Sequence, residues 1–188
     1  MIRRDRGFES LRAHFMKISI RLAKTSDLKE YTKLLQKTYQ ASYTNEKLGL
    51  TRACFSRKVF STSDTQKYLK SCLIISNKQK TWLAFVGSRL VGSITITDKG
   101  KEYELRGFYV SPKYQGRGIG KQLWTNARDF AKSKDIVCDI YAHNHKTIKL
   151  YKKWGFIVDK KKGTFYRHWP EWPEGLKAKC IYMRLTTN

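Results

Sequence analysis

The sequence predicts an α/β (α+β) domain in which helices flank a mixed, mostly antiparallel central sheet of about six to seven strands. Three strand-like segments follow one another with only tight turns between them, which is typical of an antiparallel meander. A glycine-rich turn, a segment with helical spacing and a further apolar strand at 136–141 come next. Because that strand follows a crossover helix, it is expected to lie parallel to the strand at 103–110.

The remaining elements follow from apolar periodicity and from turn residues. Strands are predicted at residues 16–21, 82–86, 90–97, 103–110, 136–141, 156–162 and 178–185. Helices are predicted at residues 28–41, 51–60, 64–75, 118–134 and 147–154. The prolines in 165–175 exclude a continuous helix or strand there. Trp169 and Trp172 in this loop suggest a binding lid or a dimer contact if they are exposed, and otherwise cover an edge of the core.

The 188 residues suffice for one domain with a substantial core, predicted at 16–188. Residues 1–15 contain arginines without a clear period and are expected to be a disordered arm or to precede the natural start. No apolar run is long enough to cross a bilayer and no signal peptide is visible, which favours a cytoplasmic location. The four cysteines are far apart, which disfavours a zinc or dithiol site and predicts reduced, mostly buried thiols.

The formal net charge of +24 suggests a polyanionic partner such as RNA or the ribosome. The alternative is that the lysines form ordinary solvated faces. They are scattered along the chain, and no nucleic-acid-binding motif is present. The charge therefore leaves contact with RNA open.

The glycine-rich turn is the most informative stretch. The strand at 103–110 ends at Ser111-Pro112, and glycines follow at 116, 118 and 120 before a helical segment. The first turn of a helix has unpaired N–H groups and partial positive charge, so anions bind well there. Glycines let the backbone approach closely, and Arg117 and Lys121 add charge. The turn favours a phosphate or pyrophosphate site, with a plain basic turn as the alternative.

Two familiar phosphate-binding patterns do not fit. The Walker pattern requires serine or threonine after Gly-Lys, but Gln122 follows Lys121. The dinucleotide-binding fingerprint is G-x-G-x-x-G, whereas the glycine spacing here is G-x-G-x-G. The segment 115–120 (QGRGIG) instead resembles the Q/R-x-x-G-x-G/A signature of GNAT acetyltransferases. A second segment, from Asn144 through Tyr151 to Phe156, resembles the family's N-x-x-A-x-x-x-Y-x-x-x-G-F pattern, with Ile148 in place of the usual alanine. The chain is therefore identified as a member of the GNAT superfamily from about residue 18 onward.

The resemblance implies acetyl-CoA as the co-substrate and no metal. The implied cofactor-binding residues are Phe108, Tyr109, Val110, Gln115, Gly116, Arg117, Gly118, Ile119, Gly120, Lys121 and Asn144. In the family, the amides of the turn hold the pyrophosphate. Residues 108–110 bind the pantetheine arm, and a backbone N–H near Phe108 polarises the thioester carbonyl.

The resemblance also implies a catalytic pair. Tyr151 matches the family tyrosine that faces the CoA sulfur and would protonate the leaving thiolate, with core packing as the alternative. Glu104 lies eleven residues before Gln115, where some lysine acetyltransferases of the family carry a catalytic glutamate, and is the expected base. Strand alternation puts Glu102 on the same face as a substitute. An exposed ion pair for Glu104 and a water-mediated proton path are further alternatives.

The implied function is acetyl transfer to a primary amine of a small molecule, a peptide N-terminus or a lysine, by direct attack in a ternary complex. An RNA-borne or ribosomal amine, and a non-enzymatic basic nucleic-acid-binding domain, are the alternatives. Tyr39 and Tyr43 are expected to line the acceptor pocket or to pack in the core. His143 and His145 alternate in a loop, but no third metal ligand is near them. The acceptor stays open, as does the choice between monomer and homodimer.

Overall fold

The computed structural model describes residues 17–187. The strands are β1 (Ile18–Leu22), β2 (Gln79–Val86), β3 (Arg89–Asp98), β4 (Tyr103–Val110), β5 (Ile136–Tyr141), β6 (Ile157–Val158), β7 (Thr164–Arg167) and β8 (Ala178–Leu185). The α-helices are α1 (Leu28–Tyr43), α2 (Arg57–Phe60), α3 (Ser63–Cys72), α4 (Ile119–Phe130) and α5 (His145–Lys153). The expectation for residues 1–15 lies outside the described residues.

The strands form one sheet in the order β1-β2-β3-β4-β5-β8-β6, and β7 also pairs with β8. Among the strands of residues 17–187, only β4 and β5 pair in parallel, because α4 carries the chain across the sheet between them. The other pairs are antiparallel. The predicted fold class and the predicted parallel pair are confirmed, and the described residues contain eight strands rather than six to seven.

The helices cover both faces of the sheet. Helices α1 to α3 and the loop before β8 bury one face, with Tyr31 and Phe55 in its core. Helix α4 buries the other face through Ile119 and Leu123. A Cβ at Gly92 of β3 would lie only 3.0 Å from Leu123 Cδ1, so a glycine there lets α4 pack closely on the sheet. This packing places the first turn of α4 beside the end of β4.

Two predicted helices have different bounds. Helix α1 continues to Tyr43, two residues beyond its expected end, because Tyr39 and Tyr43 meet edge to face one turn apart with ring centroids at 4.7 Å. Residues 51–60 do not form one helix. The extended backbone of Ser56 (ψ 166°) separates a 3₁₀ turn at Arg52–Phe55 from α2.

The strands near the C-terminus also differ from expectation. The predicted strand at 156–162 is reduced to β6, because the Asp159 carboxylate accepts hydrogen bonds from the amides of Lys161 and Lys162 and forms a turn. Residues Thr164–Arg167 form β7 on β8, although the loop was expected to begin at 165. The prolines lie beyond β7 and do not interrupt it.

The two loop tryptophans cover the core. Trp172 is 4 % exposed, and its Nε1 donates to the carbonyl of Cys54 at 3.0 Å. Trp169 is half-buried and stacks on Trp172 with ring centroids 6.0 Å apart. Of the two possibilities for this loop, cover for the edge of the core is the one observed.

All four cysteines are buried free thiols, as the sequence predicted. Over residues 17–187, no helix is both long enough and apolar enough to cross a bilayer.

Candidate active site

A groove opens where β4 and β5 part. Among the described residues, their parallel pairing ends at Glu104 and Val137. A bulge at Arg106 bends β4 just beyond that point, because its pairing with β3 shifts by one residue there. The resulting groove has a volume of about 2000 Å³. Beyond Glu104 the described strands give β4 no partner on the groove side, so the backbone groups that point away from β3 are open to a ligand, although the Val110 carbonyl already accepts a hydrogen bond from Gln115 Nε2.

The glycine-rich turn closes one end of this groove. Gly116 and Gly118 both have φ +78°, a left-handed conformation that favours glycine. A Cβ at either position would have no neighbour within 4 Å, so the space beside the turn is open. A Cβ at Gly120 would instead lie 3.2 Å from the Phe108 ring. The turn is therefore open toward the groove and tightly packed against β4.

The amides at the start of α4 are not used within the described part of the chain. No side chain caps the helix at Gly118, and the first helical hydrogen bond runs from the Gln122 amide to the Gly118 carbonyl at 3.1 Å. Within residues 17–187, the amides of Gly116, Ile119 and Gly120 donate no hydrogen bond. Unpaired amides, open space and a helix N-terminus together suit a pyrophosphate.

Polar and basic side chains surround the turn. Gln115 Nε2 donates to the Val110 carbonyl at 3.0 Å, and Lys146 Nζ donates to Gln115 Oε1 at 2.9 Å. Gln115 thus links the turn to β4 and α5. The Arg117 guanidinium lies over the Tyr114 ring, 5.7 Å from its centroid, and Lys121 is exposed on the first turn of α4.

The three residues expected to bind the pantetheine arm all line the groove. The Phe108 ring packs between α4 and α5, whereas the Tyr109 side chain reaches the opposite layer. Its hydroxyl lies 2.9 Å from the Tyr39 hydroxyl. The Tyr109 hydroxyl is thus held within the aromatic layer.

Tyr151 lies on α5 within an aromatic stack. Its ring is nearly parallel to those of Phe108 (6.4 Å) and Trp154 (6.0 Å), and it is 4 % exposed. The ring lines the groove, and its hydroxyl makes no hydrogen bond within the described part of the chain. Burial raises the pKa of Tyr151 well above its usual value, so the phenol is protonated at neutral pH.

The structure separates the two glutamates considered as the base. Glu104 lines the groove, where its carboxylate lies 3.0 Å from Lys99 Nζ. Glu102 precedes β4 and lies 2.8 Å from both Lys162 and Arg184. Although burial opposes it, hydrogen bonds from these two side chains lower the pKa of Glu102. Glu102 does not line the groove, so Glu104 is the better-placed candidate.

The wall of the groove opposite α4 is aromatic. Tyr39 and Tyr43 line it and are also packed in the core, so the expected packing is observed and a role in binding the acceptor stays a prediction. Tyr141, the last residue of β5, packs against Tyr43 with ring centroids 4.7 Å apart. Arg167 of β7 donates to Asp139 of β5 at 2.8 Å beside these rings.

Sequence reasoning missed Asp139, Tyr141 and Arg167. They come together because β8 pairs with β5 on one side and with β7 on the other. Alternation along β5 was the available signal, since residues 139 and 141 share one face of the strand that was predicted at 136–141.

Asn144 caps α5, because its side chain accepts a hydrogen bond from the Thr147 amide at 3.3 Å. It is also buried and lines the groove. His143 Nε2 lies 3.1 Å from the Tyr43 carbonyl, and burial lowers the pKa of this imidazole. Residues 17–187 contain no group of three or more side chains able to hold a metal.

A family model described as "Acetyltransferase (GNAT) family" matches residues 32–156, more than half of the chain. The chain belongs to the GNAT acetyltransferase family. Membership confirms the resemblance found in the two sequence motifs. It also supports the predicted enzyme class, an acyltransferase with acetyl-CoA as donor, over a non-enzymatic binding domain.

Individual GNAT relatives differ in their acceptors. The N-alpha-acetyltransferase RimI of Mycobacterium tuberculosis is 34 % identical over 85 residues, which are 43 % of this chain and 54 % of that protein. This chain therefore matches about half the length of that relative. The spermidine N(1)-acetyltransferase of Thermoplasma acidophilum is 26 % identical over 159 residues, 79 % of this chain and 94 % of that one.

The fold is shared with solved structures. The PaiA N-acetyltransferase of Thermoplasma acidophilum, solved in complex with coenzyme A, superposes with a TM-score of 0.67. The match covers 91 % of this chain and 99 % of that one at 21 % identity. At this identity the likeness concerns the fold alone, and it agrees with the open sheet described above.

Proposed function

We propose that the protein transfers the acetyl group of acetyl-CoA to a primary amine, by direct attack of the amine in a ternary complex. The observation that carries this proposal is the opening between β4 and β5 beside the uncapped, glycine-rich start of α4. The turn can hold the anionic part of an elongated ligand, and the unpaired edge of β4 can bond the amide groups along its length.

In this proposal the chain holds the donor mainly through its backbone. The amides of residues 116–120 bind the pyrophosphate, and Lys121 adds positive charge at the mouth. The β4 edge at 108–110 bonds the pantetheine arm, and the side-chain nitrogen of Asn144 is available to the same arm. The donor supplies an acetyl group activated as a thioester, and a backbone N–H near Phe108 stabilises the charge that develops on its carbonyl oxygen.

The attacking amine must lose a proton, and a proton donor helps the thiolate to leave. Glu104, directly or through a water, removes the proton that the amine must lose. Tyr151 gives a proton to the departing thiolate, which its protonated phenol can do at neutral pH. Both side chains line the groove, and no covalent enzyme intermediate is needed.

The acceptor is a primary amine of a peptide or a small molecule, as in the two relatives by their names. An RNA-borne or ribosomal amine is the second candidate, and the net charge of +24 is the observation that favours it. A cytoplasmic location and a monomeric or homodimeric state stay predictions.

The test is release of free thiol from acetyl-CoA with a panel of acceptors. The panel contains an N-terminal peptide, an N-blocked lysine peptide, spermidine and an aminoacyl-tRNA. We expect one amine class to accelerate thiol release and to gain an acetyl group by mass spectrometry. Absence of acetyl-CoA binding by calorimetry, combined with tight and salt-sensitive RNA binding, would reject the transferase in favour of a binding module.

A further inference from the structure

The Tyr141 hydroxyl is a buried polar group without a well-formed hydrogen bond. Tyr141 is 2 % exposed, and within residues 17–187 no hydrogen bond of good geometry reaches its hydroxyl, although the side chains of Arg167 and Trp169 lie near enough to interact with it. A buried hydroxyl without a partner destabilises a fold, so such groups are uncommon and call for an explanation. Tyr141 lines the groove at the point where β5 has parted from β4. A bound ligand can supply the missing partner.

The groups around this hydroxyl are hydrogen-bond donors. The Arg167 guanidinium lies 5.4 Å from the Tyr141 ring centroid and uses one nitrogen to bond Asp139 at 2.8 Å. A guanidinium has five N–H donors, so others are available to a ligand. The acceptor wall therefore offers a phenol and an arginine side by side, and the ligand group that satisfies both is an oxygen acceptor.

The nearby rings form an apolar surface. Tyr39 and Trp169 pack with ring centroids 5.6 Å apart, and Tyr43 adjoins both Tyr39 and Tyr141. All of these rings line the groove. This surface suits an apolar side chain attached close to the reacting amine.

The candidate amines differ in whether an oxygen acceptor lies near the nitrogen. In a peptide N-terminus the carbonyl is one carbon away from the α-amine. A lysine ε-amine is several methylenes from any carbonyl, and spermidine has no oxygen at all. A polycation also meets Arg167 and a chain of net charge +24, which disfavours its approach.

We propose that the acceptor is the N-terminal α-amine of a peptide. Its first carbonyl oxygen accepts hydrogen bonds from the Tyr141 hydroxyl and from Arg167, and its first side chain lies against the rings of Tyr39, Tyr43 and Trp169. This inference rests on the proposed acetyl transfer and names the acceptor class at the same site. Tyr141 would then determine specificity rather than take part in proton transfer.

The test uses two acceptors that differ only in the carbonyl group. Phenylalanine amide has an α-amine, a benzyl group and a carboxamide, whereas phenethylamine lacks the carboxamide. Because the two amines differ in basicity, the quantity to compare is the change in kcat/KM that Tyr141→Phe causes for each. Tyr182→Phe is the matched control, since Tyr182 lies on β8 and does not line the groove.

We expect Tyr141→Phe to lower kcat/KM for phenylalanine amide about five- to tenfold, as loss of one hydrogen bond does, and to leave phenethylamine unchanged. Its melting temperature should stay the same or rise, because the hydroxyl has no hydrogen bond of good geometry in the described chain. Tyr182→Phe should change neither acceptor.

Equal losses for both acceptors, or no loss for either, would overturn the inference. Faster transfer to spermidine than to phenylalanine amide would overturn it while leaving the acetyltransferase function intact. Absence of transfer to every amine would overturn the inference together with the proposed function.

Discussion

Gly118→Ala is the substitution that probes the glycine-rich turn most cleanly. Gly118 has φ +78°, and a Cβ there would enter open space. The chain contains a matched control in Gly163, which has φ +72° and equally open surroundings. Gly163 lies in the turn before β7 and does not line the groove. Comparison of the two alanine variants separates backbone strain from obstruction of the donor site.

Both variants should lose similar stability. A left-handed residue with a Cβ costs about 1–2 kcal/mol relative to glycine. In a chain of this size each kcal/mol lowers the melting temperature by about 2–4 °C, so we expect a decrease of roughly 2–8 °C for each variant.

Only Gly118→Ala should also lose donor affinity. Its methyl group occupies the space in which the phosphates would approach the amides. Hydrogen bonds to a charged group contribute about 1.5–3 kcal/mol each, so loss of two corresponds to at least about 100-fold weaker binding.

Isothermal titration with coenzyme A measures this loss, and calorimetric melting measures the stability of the same samples. Wild-type affinity in Gly118→Ala would refute the proposed role of the turn. An equal loss of affinity in Gly163→Ala would show that strain, and not obstruction, is responsible.

Three further predictions concern the acid, the base and the stability of the fold. Tyr151→Phe should lower kcat about 100-fold or more, because the proton donor is lost. The calorimetric affinity for coenzyme A should stay unchanged. A large loss of that affinity would contradict the role of Tyr151 as the acid. Glu104→Gln should lower kcat/KM at neutral pH at least tenfold in the thiol-release assay, because the base is lost. Lys99→Met removes only the ion-pair partner of Glu104 and should have little effect on kcat/KM. Equal losses in the two variants would indicate that the ion pair matters rather than the base. Arg184→Met should destabilise the fold by about 2–3 kcal/mol in urea titrations at pH 7, because it removes the ion-pair partner of Asp135 and of the 4 % exposed side chain of Asp159, and one of the two partners of Glu102. Burial tends to raise the pKa of Asp159, but hydrogen bonds from the Lys162 amide and from Arg184 lower it overall. A carboxylate with a lowered pKa stabilises the fold above its unfolded pKa, and this stabilisation is lost as the pH falls. The difference in unfolding free energy between wild type and variant should therefore shrink below about pH 4, and a constant difference would contradict the assignment.

The sequence was most informative where one local pattern determines one local structure. The strand at 103–110 was predicted with its observed bounds, and the glycines at 116 and 118 have the left-handed conformations that the turn requires. The helix after the turn begins one residue later than predicted but ends at Phe130 instead of 134. Local patterns thus predicted the strand and the turn that line one end of the groove.

The opposite wall of the groove depends on pairing between distant segments. Asp139 and Arg167 meet only because β8 lies between β5 and β7, and no local pattern gives that order. β7 itself was missed because the prolines behind it dominated the interpretation of the loop. The burial of Trp172 likewise depends on the Cys54 carbonyl, which lies in a 3₁₀ turn far away in sequence.

The most direct measurement of the central claim is an amide nuclear magnetic resonance titration. Coenzyme A and pantetheine should be compared as ligands, since pantetheine keeps the arm but lacks the pyrophosphate. We expect the amides of Gly116, Gly118 and Gly120 to shift strongly with coenzyme A and little with pantetheine, while the β4 amides at 108–110 shift with both. Equal shifts with the two ligands, or unchanged glycine amides with coenzyme A, would contradict the assignment of the turn as the pyrophosphate site.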